Sequence, residues 1–320
     1  MIGYLIKRLL LAVLVLWLVS LLVFVGTEIL PGDVAQLALG QFATPESVAT
    51  LRTELGLDQP AALRYLDWLF GILQGDWGQS ITTKTPVADM LSQRIGNTVL
   101  LAGTTTLIAT PLAICIGLLL SLGTGGWLDR LGSITILGLS ATPEFLIATL
   151  AVLLFAVKLY WFPAVAYLSP GASWQDTARA LFLPVATLVI VVTAQIARMT
   201  RAIISNLLGQ PFAEMAMLKG VPRYKIVSQH ALIMAVGPLA NVVALNVAYL
   251  VSGVVVVETV FAYPGLARLM VDAVQARDMP VVQACAMVFG AVYVILILLA
   301  DTLADLFDPF LTTSRKATGQ

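Results

Sequence analysis

Residues 9–27 read LLLAVLVLWLVSLLVFVGT. No charge interrupts the run, and its length is close to the ~20 residues an α-helix needs to cross ~30 Å of hydrocarbon. Lys7 and Arg8 stand in front of it, an arrangement shared with secretory signals. A signal's apolar region is shorter, roughly 7–15 residues, and ends in small residues at a cleavage site. Here EILPGD (28–33) follows, so the run is expected to remain as a first membrane helix. Further apolar windows of spanning length occur at about 97–122, 132–157, 181–198, 236–257 and 281–304. Composition agrees: of 320 residues, 59% are hydrophobic and 11% charged, with a mean hydropathy of +0.93. Soluble domains hold about 45–50% apolar residues. A water-soluble fold could not hide the surplus, so the bilayer is the expected solvent. The expected fold class is an all-α integral membrane protein with six transmembrane helices.

Six spans put both termini on one side. Near the membrane that side carries Lys7, Arg8, Arg130, Arg198, Arg201, Lys219, Arg223, Lys225, Arg315 and Lys316, against Lys158, Arg179, Arg268 and Arg277 opposite. The excess of basic residues sets both termini and the 199–235 loop in the cytoplasm. The chain then divides into a tail and first helix (1–28), a long extracytoplasmic helical loop (29–96), a five-helix core (97–310) and a cytoplasmic tail (311–320). A net charge of zero argues against nucleic acid as a partner. Cys115 and Cys285 lie inside apolar runs and read as small packing residues. His230 is the only histidine, which excludes a histidine cluster or triad within the chain.

The long loop carries its own helix signals. Thr44 is placed to cap a helix that Pro45 opens, with Val48, Leu51 and Leu55 along one face. Thr85 and Pro86 repeat the device. Between them YLDWLFGILQGDWGQS (65–80) is aromatic and amphipathic, suited to the outer membrane surface or to a partner.

The least membrane-like stretch is QPFAEMAMLKGVPRYKIVSQH (210–230), with Glu214, Lys219, Arg223, Lys225 and His230. Pro211 opens a helix, Gly220 closes it and Pro222 starts another, so two short helices hinged at a glycine are expected. Phe212, Met215, Ala216 and Lys219 share a face by helical spacing. By spacing alone, an amphipathic loop resting on anionic lipid of the inner leaflet is an equal reading.

The segment EMAMLKG (214–220) resembles the E-A-A-x-x-x-G loop of binding-protein-dependent ABC importers, with Met215 in place of the second-position alanine. The family's downstream I-x-L-P reads HALI (230–233), where only Leu232 fits. PGDVA (31–35), ATPESVATLRTELGLDQP (43–60), GDWGQS (75–80), WLDRLGSI (127–134), VVVETVFAYPGLARLMVDAVQARDMPVVQ (255–283) and LADLFDP (303–309) are similar to permeases of the dipeptide/oligopeptide/nickel importers, in their B-type membrane subunit. The resemblance implies a type I ABC importer permease fold. It also implies a coupling loop at about 205–233 that docks on an ATPase through Glu214, Ala216, Lys219, Gly220 and Arg223. The implied partners are a second homologous permease, two ATPase subunits or domains, and an extracytoplasmic substrate-binding protein. The chain has no G-x-x-x-x-G-K-[ST] phosphate loop, so it cannot hydrolyse ATP itself; ATP and Mg belong to the partners, and no cofactor is expected here. A bacterial or archaeal cytoplasmic membrane is the implied location. Family substrates include dipeptides, oligopeptides, nickel chelates, glutathione and some oligosaccharides.

Ionisable groups within spans are expensive and presumed functional or paired. If the third span starts near Gly132, Glu144 lies ~18 Å inside it. The adjacent Pro143 breaks the backbone ladder and can open that face to a cavity. The family more often has Ser or Asn at this position. Glu144 is expected to line the translocation path and meet a substrate amine; the alternative is a protonated or hydrogen-bonded structural group. Asn246 and Glu258 are further path candidates, against helix-to-helix hydrogen bonding for Asn246 (with Gln195, Asn241 and Ser252) and a solvated helix end for Glu258. Asp301 and Asp308 are expected to snorkel or pair at the inner end of the last span. A secondary transporter would show repeat symmetry, and no convincing inverted repeat is seen. An intramembrane enzyme would need a catalytic constellation, and Glu144 has no obvious partner in sequence.

Overall fold

The computed structural model describes residues 2–29, 36, 43–54, 56–123, 125–167, 171 and 173–307. Expectations placed on residues 31–35, Leu55, Asp308 and 311–320, and on the Leu51 and Ser252 side chains, lie outside the described residues. The described residues form helices: α1 (Ile2–Ile29), α2 (Pro45–Glu54), α3 (Ala61–Gln74), α4 (Val87–Leu122), α5 (Trp127–Ala141), α6 (Glu144–Ala151), α7 (Trp174–Leu208), α8 (Pro211–Leu218), α9 (Arg223–Ile226), α10 (Leu232–Val260), α11 (Leu266–Gln275) and α12 (Met279–Phe307). No strand forms among them beyond one isolated bridge between Gln79 and Pro86. Among the described residues, five helices are long and apolar enough to cross a membrane. A sixth span results if α5 and the helix that follows it count as one bent pair.

That pair corrects the continuous third span. The chain turns by 97° between Trp127–Ala141 and Glu144–Lys158. Pro143 cannot donate to the helical ladder and biases Thr142 toward extended backbone, which is found at ψ 129°. Glu144 therefore opens a new helix, and a depth counted along an unbroken one no longer applies. After α6 the helix widens to π form over Val152–Lys158.

The described residues fall into two compact units, within Met1–Val99 with Pro264–Val294, and within Leu100–Tyr263 with Ile295–Gln320. In the first, α3 lies against α1. Phe24 meets Tyr65 and Trp68 at ring separations of 5.4 and 5.9 Å, and Ser20 Oγ and the Tyr65 hydroxyl are 2.9 Å apart. Arg64 pairs with Glu28. One edge of the amphipathic segment is thus covered by the chain's own first helix, while Leu63, Leu66, Phe70 and Leu73 stay exposed. Thr44 caps α2 as expected, its hydroxyl accepting from the Ser47 N–H at 3.2 Å. The expectation for Pro86 is off by one. Its carbonyl accepts from the Asp89 and Met90 N–H groups at 3.2 and 3.4 Å, so it precedes α4 rather than opening it.

Two further contacts close this unit. Leu266, Leu269 and Ala273 of α11 pack with Val87, Leu91, Val281 and Cys285 into an apolar core. Asp278, buried between α11 and α12, accepts from the Ile81 N–H at 3.1 Å, the Thr82 N–H at 3.3 Å, the Thr82 hydroxyl at 2.8 Å and the Ser80 hydroxyl. Four donors satisfy a carboxylate that would otherwise be stranded away from water.

In the second unit α7 is the central helix, with α5, α6 and α10 around it. Ser173 caps it by accepting from the Asp176 N–H at 3.2 Å. Gly117 of α4 approaches α7 so closely that a Cβ there would sit 2.5 Å from Thr200 Cβ and 2.8 Å from the Ala197 carbonyl oxygen. Small residues at such crossings let helix backbones approach in a bilayer.

Candidate functional site

The charged insert builds one candidate site. Pro211 occupies the first turn of α8, where its missing N–H costs nothing. The helix ends in a Schellman turn: the Val221 N–H reaches the Ala216 carbonyl at 3.0 Å and the Gly220 N–H reaches Met217 at 2.9 Å. That turn requires a left-handed residue, and Gly220 supplies it at φ +79°. Ala213, Phe212 and Ala216 face inward against Ile204, Leu208, Ile226, Val227 and Ala231. Glu214, Met215, Met217, Leu218 and Lys219 are exposed, Leu218 to 83%.

Two expectations change here. Phe212 and Ala216 point inward while Met215 and Lys219 point out, so the four do not act as one face. Pro222 does cap a helix, but α9 runs through a π-helical stretch (Val227–Ala231) straight into α10. The insert is therefore one short helix hinged on the start of a long one. Arg223 is half-buried and donates from Nη2 to the Ser121 carbonyl at 3.1 Å. A cation at the C-terminal end of α4 satisfies a carbonyl left without a helical partner.

A pair that sequence reading missed ties α5 to α7. Arg201, near the end of α7, holds Asp129, in the first turn of α5, by two bonds: Nε to Oδ1 at 2.6 Å and Nη2 to Oδ2 at 2.8 Å. Asp129 also accepts from the Gly125 N–H at 3.0 Å and the Ser133 hydroxyl at 3.3 Å. The pair is 72 residues apart in sequence. The one available signal was an aspartate, beside Arg130, in the first turn of an otherwise apolar helix.

The second candidate site lies at the break before α6. Glu144 is the first residue of α6 and is half-buried. Tyr249 of α10 is the side chain that interacts electrostatically with its carboxylate. Gly253, one turn further along α10, lies beneath the carboxylate; a Cβ there would be 2.8 and 3.0 Å from its two oxygens. Asn246 shares that face of α10 by helical spacing but bonds back to the Val242 carbonyl at 2.8 Å, within its own helix rather than across to another. Tyr249 was not foreseen, though a tyrosine three residues from an asparagine in an apolar run is a signal. Glu258 is fully buried, which corrects the solvated helix end, and lies beside the equally buried Phe261 and Tyr263.

Comparison with known proteins bears on the whole chain. The family model described as "Binding-protein-dependent transport system inner membrane component" matches residues 113–313, and its N-terminal companion matches residues 1–102. A Sinorhizobium fredii protein named "Probable peptide ABC transporter permease protein" is 34% identical over 307 residues, covering 96% of this chain and 98% of the relative. A Brucella abortus protein, named as a permease of a peptide transport system, is 36% identical over 310 residues, 97% of this chain and 98% of its own. The glutathione transport system permease protein GsiC of Escherichia coli is 36% identical over 311 residues, again 97% and 98% of the two chains. With its helices long enough to cross a bilayer, the chain belongs to the family of inner membrane components of binding-protein-dependent transport systems, ABC permease subunits that are not themselves enzymes.

Proposed function

We propose that this chain is the B-type permease subunit of an ATP-driven importer for dipeptides, oligopeptides or related small solutes, supplying half of the translocation path. Both termini and the 205–233 loop lie in the cytoplasm. The long 29–96 loop and the 259–279 segment lie outside, where a substrate-binding protein delivers its load. Two ATPase subunits or domains bind ATP and Mg, and a second homologous permease completes the path. Peptide and glutathione transport in the relatives' names supports this substrate class.

The observation that carries the reading is the build of α8. One face is fastened to the ends of α4, α7 and α9, while Met215, Met217 and Leu218 project outward between Glu214 and Lys219. Exposed apolar knobs flanked by opposite charges suit a groove on another protein better than water. Gly220, Ala216 and Arg223 set the angle of that helix rather than touch the partner. ATP-driven closure of the ATPase pair moves α8, and α7 and α10 carry the motion outward. The shift is limited by the differential free energy with which ATP favours the closed pair. Glu144 and Asn246 face the path, and Glu258 packs near its outer gate.

Reconstitution tests the proposal. The chain alone in liposomes should move no solute, whereas co-purified complex with ATPases, second permease and binding protein should import peptides only with ATP. Charge reversal at Glu214 should leave insertion intact and uncouple transport from ATP hydrolysis. Sustained uptake by the chain alone would end the reading.

A further inference from the structure

The carboxyl group of Glu144 is seated between the start of α6 and Gly253 of α10. Its carboxylate starts α6 immediately after the 97° break, where the free N–H groups of the first helical turn favour an anion. Tyr249 is the polar side chain acting on it from α10, and a carboxylate offers about four acceptor positions. No ion pair to Glu144 forms among the described residues. Gly253 is what lets the carboxylate rest on α10, since any Cβ would fall within 2.8–3.0 Å of its oxygens. The seat is thus held between two helices, half open, with acceptor capacity left over. An ionisable group so placed in a membrane protein is a functional-site candidate whose partner comes from outside this seat.

The chemistry of the seat selects the cation. A divalent metal needs several oxygen or nitrogen ligands, and no group of three His, Cys, Asp or Glu residues gathers among the described residues. A primary ammonium needs two or three acceptors and is drawn to an aromatic face. Glu144 provides the charge, and the half-exposed Tyr249 provides both a hydroxyl and a ring. We infer that Glu144, seated on Gly253 and oriented by Tyr249, binds the primary ammonium of a peptide in transit, so that the permease itself selects for an amine after the binding protein has released its load. This rests on the importer reading above.

The test uses the complete importer in proteoliposomes, loaded binding protein, ATP and a mixture of tripeptides, with luminal products identified by mass spectrometry. Glu144→Gln keeps an oxygen for Tyr249 and removes only the charge. It should lower the kcat of import about tenfold, the loss expected for one charge-assisted hydrogen bond, without changing the KM for loaded binding protein. Glu144→Asp should recover part of the rate, and Gly253→Ala should mimic Glu144→Gln by displacing the carboxylate. Leu150→Val, at an exposed position further along α6, should transport as the unaltered complex does. Peptides acetylated at the amino terminus separate two sources of ammonium. If they enter only when they contain lysine, a side-chain amine is read equally well; if none enters, the terminal amine is the ligand. An unchanged kcat in Glu144→Gln would overturn the assignment, as would crosslinking of Glu144 to a Lys or Arg of the second permease. Absence of ATP-driven import by the unaltered complex would overturn the importer reading itself, and this inference with it.

Discussion

Replacing Arg201 with methionine removes one half of the pair that ties the start of α5 to the end of α7. The two halves are unequally placed: the Asp129 side chain is 5% exposed and that of Arg201 31%. Charge centres ~4 Å apart attract by about 4 kcal/mol at an effective dielectric near 20, and removing one member of a buried pair costs about 3–5 kcal/mol. Arg201 is partly solvated, so the lower end applies. Arg201→Met should cost about 3 kcal/mol, because Asp129 keeps only its bonds to Gly125 and Ser133. Asp129→Asn should cost less, about 1–2 kcal/mol, because the freed guanidinium can turn to water. The decisive variant is the double one. With Asn at 129 there is no buried charge left to strand, so Asp129→Asn should stabilise the Arg201→Met protein although it destabilises the unaltered one. Midpoints of unfolding in a detergent titration should rank unaltered first, then Asp129→Asn, the double variant and Arg201→Met. If Asp129→Asn further weakens Arg201→Met, the stranded-charge reasoning is wrong.

Other positions give sharper local tests. At Gly220 no atom lies within 4 Å of a would-be Cβ, so Gly220→Ala meets only the left-handed backbone penalty, about 1–2 kcal/mol, and should keep ATP-driven uptake. Gly220→Pro also loses the bond to Met217 and cannot adopt φ +79°, so uptake should collapse while membrane insertion persists. Gly117→Ala should destabilise by about 1–3 kcal/mol in the same titration. Trimming Thr200 to Ser should restore only part of this, since Thr200 Cβ itself stands 2.5 Å from the added methyl. Asp278→Ala should leave the Ile81 and Thr82 N–H groups without their acceptor and speed their hydrogen exchange, at a cost of about 1–3 kcal/mol; exchange at the unaltered rate would show that the carboxylate does not hold the 80–82 turn.

What the sequence disclosed was local. Thr44 before Pro45 marked a cap, Gly220 marked a helix end, and unbroken apolar runs marked the spans; each rests on residues within a turn or two of one another. The pairs that fix the fold are not local. Asp129 meets Arg201 72 residues away, and Asp278 meets Ile81 197 residues away. Nothing in either neighbourhood names its partner. The orientation of α8 failed for the same reason. Helical spacing puts Phe212, Met215, Ala216 and Lys219 on a shared arc, but the return of the chain through Ile226 and Val227 makes Ala213 the fully buried residue.

The 97° break shows a second limit, particular to membrane chains. Apolar windows record length and composition, and lipid is as apolar as a protein interior, so neither direction nor burial follows from them. The uninterrupted 9–27 run belongs to the helix with only 17% of its span buried in the protein, while the α7 span is 72% buried. What distinguishes α7 is small and weakly polar residues: Ala180, Ala194 and Ala197, with Thr187, Thr193 and Thr200. Thr187 and Thr200 can be buried because they bond back to the Leu183 and Ile196 carbonyls at 2.9 and 2.8 Å, leaving smooth methyl surfaces for neighbours such as Gly117. In a chain of this kind the central helix is better sought by its alanines, glycines and threonines than by its leucines. By the same measure Gly253 marks where α10 receives Glu144, a position that hydropathy alone passes over.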